Sequence, residues 1–329
     1  MSNRTEIHKQ SSITQAKWHD KPYYSLDAWC KNTLHHKCYK IALNAHMTCP
    51  NRDGSLDTRG CIFCSAGGSG DFAVSAPGKS MEAQIAEGLS LFKGKSVGEH
   101  FIAYFQAYTN TYGPLNYLEQ VYRSALEHDK ICGISIATRP DCIPEDVLNL
   151  LCRLKQEYPH KFIWVELGLQ TIHEDTAAFI RRGYPLSCFE DCMNRLQSCD
   201  IPVIVHIILG LPGETKEHML QTIRYLNNRK PFGIKLQLLH ILQNTDLARY
   251  YEQHTFEVLS KESYLDILTA CLSHLSPDIV VHRVTGDGPK DLLIAPLWSC
   301  NKRDVLNSLH RLMRENNLRQ GCNYNEFTD

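Results

Sequence analysis

Thr48-Cys-Pro-Asn-Arg-Asp-Gly-Ser-Leu-Asp-Thr-Arg-Gly-Cys-Ile-Phe-Cys-Ser65 follows directly on a short apolar strand, Tyr39–Leu43. Its cysteines, Cys49, Cys61 and Cys64, have the spacing C-x11-C-x2-C. Three thiolates can hold three corners of an iron–sulfur cube, whose usual complement is four cysteines. The pattern supplies no fourth, so one iron is left open to a small molecule. An open iron is a reaction site, and an enzyme is the expectation. A zinc reading competes, because His46 lies just before Cys49 and completes a Cys3His set. Position separates the two readings. The segment sits where the first strand of a βα series ends, and barrel active sites lie at the C-terminal ends of strands.

Outward from that run, strands and helices alternate. After Tyr39–Leu43 the patterns predict a helix at 80–93, a strand at 100–107, a helix at 114–128, a strand at 131–138 and a helix at 144–157. A strand at 162–169, helices at 174–182 and near 188–199, a strand at 203–209, a helix at 216–228 and a strand at 233–239 follow. These strands are nearly continuous apolar runs, as in a parallel sheet covered by helices on both faces. They recur at roughly thirty to forty residues, the length of a βα unit. Six such units predict an α/β fold, a partial (βα)6 barrel over residues 23–245. A polar tail, 1–22, precedes it. A helical and mixed C-terminal extension, 246–329, is expected to pack on the barrel as a candidate substrate-binding region. It carries helices near 260–275 and 302–316 around a Gly- and Pro-rich loop at 285–289.

At 329 residues, 43% hydrophobic and 22% charged, the chain reads as a globular protein with a sizeable core. A formal net charge of −1 excludes a global electrostatic footprint for nucleic acid or membrane. No apolar run approaches a membrane span, and the polar N-terminal stretch does not read as a signal peptide. The 14 cysteines are scattered rather than set out as the framework of a small secreted domain. A reducing cytoplasm, where cluster thiols stay free, is the expected location.

Further motifs stand out: Ala103-Tyr-Phe-Gln-Ala-Tyr-Thr-Asn110, Ala137-Thr-Arg-Pro-Asp-Cys142, and Glu166-Leu-Gly-Leu-Gln170 with Arg182-Gly183. Leu209-Gly-Leu-Pro-Gly-Glu214, His282-Arg-Val-Thr-Gly-Asp-Gly288 and Ala295-Pro-Leu-Trp-Ser299 complete the set. With them the chain resembles radical S-adenosylmethionine (SAM) enzymes of the YhcC/YtqA type, also named MnmL, relatives of the radical domain of the Elongator catalytic subunit. The resemblance runs from about Tyr23 to Gly321. It implies a 4Fe–4S cluster on Cys49, Cys61 and Cys64, with SAM chelated at the open iron. In similar enzymes an electron from the reduced cluster splits SAM into methionine and a 5′-deoxyadenosyl radical, which abstracts hydrogen from the substrate. The cofactor carries the difficult chemistry, and the protein holds it, aims it and keeps water out.

The same resemblance suggests cofactor contacts. Phe63 lies inside the Cys61–Cys64 turn. Gln106, ending the second strand, either hydrogen-bonds the methionine amino group or faces solvent. Glu166 is a lone carboxylate in an apolar strand, so burial demands a partner. That partner is the cofactor's ribose or amino group, with Gln170 at the same strand's exit, or else Arg181 or Arg182. Arg182 either pairs with the methionine carboxylate or is an ordinary helix arginine. Val205-His-Ile-Ile-Leu-Gly-Leu-Pro-Gly-Glu214 resembles the strand that packs on the adenine, which brings in Ile208. His240, ending the sixth strand, stands at the active mouth and joins Glu166 as a catalytic candidate, whereas His206 reads as a core histidine. Cys188, Cys192 and Cys199 read as helix cysteines rather than an auxiliary cluster.

The resemblance points to the carbon-5 side chain of a wobble uridine in tRNA, with carboxymethylaminomethyl becoming aminomethyl. A tRNA methyltransferase that extends the product, and a flavodoxin- or ferredoxin-type electron donor, are the implied partners. From the residues themselves, Lys290, Lys302, Arg303, Arg311, Arg314 and Arg319 make a locally basic stretch that either tracks phosphates or is a solvated face. Trp298 either stacks a base or fills a core. No acetyltransferase module follows the barrel within these 329 residues, so acetyl transfer is not expected. Two other classes stay open on sequence. One is a radical enzyme acting on a small molecule or a protein. The other is a zinc-bearing RNA-binding module without catalysis, which leaves the βα series unexplained.

Overall fold

The computed structural model describes residues 17–68, 79–94, 98–254, 256–286 and 288–324. The predicted tail up to residue 16, and Asp287 in the predicted 285–289 loop, lie outside them. The strands are β1 (Tyr39–Leu43), β2 (Phe101–Phe105), β3 (Ile131–Thr138), β4 (Phe162–Gln170), β5 (Val203–Leu209), β6 (Gly233–Leu238), β7 (Ile241–Leu242), β8 (Val280–Arg283) and β9 (Leu293–Ala295). The helices are α1 (Leu26–Thr33), α2 (Met81–Ser90), α3 (Leu115–Leu126), α4 (Glu145–Glu157) and α5 (Glu174–Phe179). They continue with α6 (Leu186–Ser198), α7 (Lys216–Arg229), α8 (Asp246–Gln253), α9 (Lys261–His274) and α10 (Lys302–Glu315).

Strands β1 to β6 follow one another in a single parallel sheet, and β8 adds a seventh strand beside β6. The six predicted strands are therefore all present in the predicted α/β partial barrel. β8 is only Val-Val-His-Arg, too short an apolar run to stand out. Helix starts follow from side-chain caps. Ser80, Thr215 and Ser260 each accept from the backbone amide three residues on, so each lies just before its helix rather than inside it. At Thr215 the bond is returned, with His218 Nδ1 accepting from the Thr215 amide.

Side chains alternate along each strand, and that alternation layers the barrel. On β4, Ile163, Val165, Leu167 and Leu169 join the main core under the helices. Trp164 instead joins Ile102 and Ile204 in a small apolar floor inside the barrel. Trp29 of α1 seals that floor, its ring 5.1 Å from Trp164 and edge-on to it. Above the floor, register sets Lys235 of β6 between His206 of β5 and Arg283 of β8. The C-terminal ends of the strands lie above that polar layer.

Beyond β6, β7 and β9 pair as a small antiparallel ribbon. α10 buries Val305, Leu309 and Met313, which recur every fourth residue. Its Lys302, Arg303, Arg311 and Arg314 stay exposed. No described helix is long and apolar enough to cross a membrane.

Candidate active site

Cys49 lies just past β1, and the residues after it hold the other two cysteines in place. Asn51 is buried, and its Nδ2 donates to Arg181 O at 2.8 Å and towards Cys61 Sγ at 3.6 Å. Arg52 Nη2 donates to Cys64 O at 3.0 Å and Ser65 O at 2.6 Å. Gly60 has φ of +77°, and a Cβ there would lie 2.9 Å from Arg52 Nε, so any other residue would be strained and would displace Arg52. Asn51, Arg52 and Gly60 lie inside the C-x11-C-x2-C run, where spacing alone gives them no role. The Cys61 thiol is pulled down to about 7, first by its hydrogen bond with Cys64 and then by Arg139, Asn51 and Arg52. That favours the thiolate, the form that binds metal.

Among the described residues, these three sulfurs do not form a group lying within 4.8 Å of one another. One tetrahedral zinc, at about 2.3 Å from each sulfur, needs them about 3.8 Å apart. As they stand, the three sulfurs are not set for a single zinc ion. His46, the fourth ligand of the zinc reading, is exposed.

Cys49, Cys61, Phe63 and Cys64 face a cavity at the C-terminal ends of the strands. Gln106, Glu166, Gln170, Arg182, Ile208 and His240 line the same cavity, so the residues expected to hold the cluster and SAM come to one place. Arg182 is 2% exposed and its donors are engaged within the protein, by Tyr184 O at 3.0 Å, Thr171 O at 2.7 Å and Glu174 at 3.2 Å. Arg181 pairs with Asp246 at 2.5 Å. His240 Nε2 and Ser299 Oγ are hydrogen-bonded at 3.0 Å.

Glu166 pairs with neither arginine. It is 1% exposed and accepts from Lys40 Nζ at 2.7 Å, Ser135 Oγ at 2.5 Å, His206 Nε2 at 2.6 Å and Lys235 Nζ. Burial alone would raise its pKa, but Lys235 and Lys40 hold it well below the usual carboxylate range. One carboxylate cannot balance two ammonium groups with Arg283 beside them. Burial, together with repulsion from Lys40 and Arg283, accordingly pushes Lys235 well below its ordinary value, against the pull of Glu166. His206 is pushed down to about 4, by burial and then by Lys235. Gln237 Nε2 donates to His206 Nδ1 at 3.1 Å. That pattern assigns the neutral ring's proton to Nε2, which donates it to Glu166. Sequence reasoning missed Lys40, Tyr104, Lys235 and Arg283. The signal was available for Lys235, which interrupts the apolar strand Gly233-Ile-Lys-Leu-Gln-Leu238 just as Glu166 interrupts its own.

Two open readings are answered by packing. Trp298 Nε1 donates to Leu259 O at 3.0 Å and its ring lies 5.5 Å from Tyr264, so it packs, half-buried, against the core. Cys192 is buried in the main core, and Cys199 packs half-buried against it.

A family model described as the radical SAM superfamily matches residues 58–226, which include Cys61, Cys64 and Glu166. The chain belongs to the radical SAM superfamily. A model of the radical SAM C-terminal domain matches residues 231–315. The chain is 40% identical over 302 residues to YtqA of Bacillus subtilis, covering 92% of each protein. It is 33% identical over 282 residues to YhcC of Escherichia coli, covering 86% of this chain and 89% of that one. It therefore belongs with YhcC/YtqA-type radical SAM enzymes, whose cofactors are a 4Fe–4S cluster and SAM. The reading as a zinc module without catalysis falls. A more distant relative is the tRNA uridine(34) acetyltransferase of Methanocaldococcus jannaschii, 21% identical over 62% of this chain and 36% of that one. Among solved structures, Elp3 of Methanocaldococcus infernus superposes with a TM-score of 0.64 over 86% of this chain and 64% of that one. At 14% identity that likeness shows the fold alone.

Proposed function

We propose that this radical SAM enzyme remodels the carbon-5 side chain of wobble uridine in tRNA, converting carboxymethylaminomethyl to aminomethyl. Cys49, Cys61 and Cys64 would hold the cluster, with Gln106, Gln170 and Ile208 around SAM. When bound, cluster and SAM supply a 5′-deoxyadenosyl radical for hydrogen abstraction and take up the two electrons that the substrate gives up.

The observation that carries the substrate reading is the charge beneath the cysteine mouth. Among the described lining residues Glu166 is the only acid, and Lys235 and Arg283 stand with it. An adjoining cavity is lined by Lys40, Arg283, Lys290 and Lys302, with no described acid. Such surroundings suit a substrate that carries a carboxylate and phosphates. The side-chain carboxylate would meet Lys235 and Arg283. The RNA backbone would follow Lys290 and Lys302 onto the exposed arginines of α10, which makes segment 246–329 the substrate-binding part. In the substrate, the carbon between nitrogen and carboxylate would give up one hydrogen atom and then one electron, and the adjoining N–H would lose its proton to solvent, leaving a C=N bond. Hydrolysis of the resulting C=N bond then releases glyoxylate and leaves the primary amine. The relative named for uridine 34 of tRNA supports the same target. A flavodoxin- or ferredoxin-type protein would deliver the electron, and a tRNA methyltransferase would extend the product.

Nucleoside analysis of tRNA from a strain lacking this protein tests the assignment. Carboxymethylaminomethyluridine should accumulate while the aminomethyl form and its extended product disappear. Unchanged wobble nucleosides, in a strain with no redundant route, would defeat the tRNA assignment and leave membership of the superfamily standing.

A further inference from the structure

At the opposite end of the barrel, the N-terminal ends of three strands bring two histidines and two cysteines together. His36 and Cys38 precede β1, His100 immediately precedes β2, and Cys132 is the second residue of β3. Tyr39 pairs with Phe101 and Phe101 with Ile131, so these positions share one edge of the sheet. The imidazoles of His36 and His100 stack, with ring centroids 3.5 Å apart and planes 6° from parallel. His36 Nδ1 lies 3.4 Å from Cys38 Sγ, and His100 Nδ1 lies 3.8 Å from Cys132 Sγ. The Cys38 and Cys132 thiols are neighbours. One ligating atom from each of His36, His100 and Cys132 falls within 4.8 Å of the others, the only such group among the described residues.

These separations fit an ion. A tetrahedral zinc, at about 2.3 Å from sulfur and about 2.0–2.1 Å from nitrogen, sets its sulfur and nitrogen ligands about 3.6 Å apart. The two nitrogen–sulfur distances, 3.4 and 3.8 Å, straddle that value. Without an ion, the group is joined by weak sulfur hydrogen bonds and a face-to-face ring stack, the arrangement that aromatic quadrupoles disfavour.

We propose that His36, Cys38, His100 and Cys132 bind one divalent ion of the zinc class as a structural clip. His36, His100 and Cys132 supply three ligands, and Cys38, beside His36 but outside that close group, would swing in as the fourth. Such a closed set of two thiolates and two imidazoles leaves no position for water, which is the pattern of a structural site rather than a catalytic one. The bottom face of a barrel is likewise where residues serve stability. The clip ties the approach to β1 onto β2 and β3. β1 leads straight to Cys49, so the clip fixes from below the strand that delivers the first cysteine of the active mouth.

The test is elemental analysis of anaerobically purified holoprotein, with cobalt(II) as a spectroscopic probe. About one zinc is expected beside the cluster iron, and Cys132→Ser should lose it while keeping the iron. Cobalt exchanged into the site should show tetrahedral, thiolate-bound absorption that disappears in Cys38→Ser. Because Cys132 is inside a strand, His36→Ala on the preceding loop is the second variant. It should lose the cobalt signal with an unchanged circular dichroism spectrum. Zinc that survives in all three variants would overturn the proposal. So would zinc that vanishes with Cys61→Ala instead, or a zinc-free protein in which peptide mapping finds a Cys38–Cys132 disulfide.

Discussion

At the scale of single residues, Glu166 is the counter-charge on which the barrel interior depends. Glu166→Gln leaves Lys40 and Lys235 facing one another with no negative charge between them. Breaking a buried pair in this way should cost about 3–5 kcal/mol in chemical denaturation of the apo-protein. Adding Lys235→Met removes the excess cation, so the double variant should recover more than about 0.5 kcal/mol relative to additivity. Strictly additive losses would show that the two residues are not energetically paired. His206 supplies a pH signature. Its native value of about 4 lies below the ordinary 6.5, so between those values the unfolded chain binds a proton that the folded ring refuses. The contribution is complete above pH 6.5 and falls away as pH drops towards 4, by on the order of 3 kcal/mol. His206→Gln should flatten that part of the stability profile in urea titrations. A profile as steep as the parent's would place the acid sensitivity elsewhere.

At the scale of elements, what the sequence made legible was what repeats. Strands β1 to β6 are near-continuous apolar runs separated by amphipathic helices, and both signals survive without tertiary context. α1 and β8 escaped because their pattern is set by the barrel. α1 presents Trp29 to an internal floor, and β8 is four residues completed by pairing with β6. The cysteine loop shows the same divide. Its three thiols could be read from spacing, but the grip of Arg52 on Cys64 O and Ser65 O depends on a fold-back that spacing does not reveal. Each charge-assisted bond there contributes about 1.5–3 kcal/mol to loop order. Arg52→Ala should therefore keep a parental melting curve yet take up markedly less iron on anaerobic reconstitution. Gly60→Ala, which forces a Cβ against Arg52, should do the same. Full iron uptake in both variants would mean that the loop backbone is sufficient alone.

At the scale of the whole molecule, a net charge of −1 concealed a strongly polarised interior. Lys40, Lys235 and Arg283 come from strands far apart in sequence and meet only through sheet register, so no sequence window contains them together. The candidate site was legible at the ends of strands and illegible in the middle of the barrel for that reason. Outside the cavity, replacing Arg303, Arg311 and Arg314 with Ala should leave SAM cleavage in the absence of tRNA near the parental rate. It should weaken tRNA binding and reduce the log–log salt slope by about 0.7–0.9 for each phosphate that is no longer neutralised. An unchanged slope would make that helix face an ordinary solvated surface. The central claim is tested most directly by turnover. Reconstituted protein, reductant and SAM are incubated with tRNA carrying carboxymethylaminomethyluridine, and nucleosides, glyoxylate and 5′-deoxyadenosine are quantified together. Aminomethyluridine, glyoxylate and 5′-deoxyadenosine should appear in equal amounts and all vanish in Cys49→Ala; 5′-deoxyadenosine formed while the wobble nucleoside stays unchanged would contradict the account.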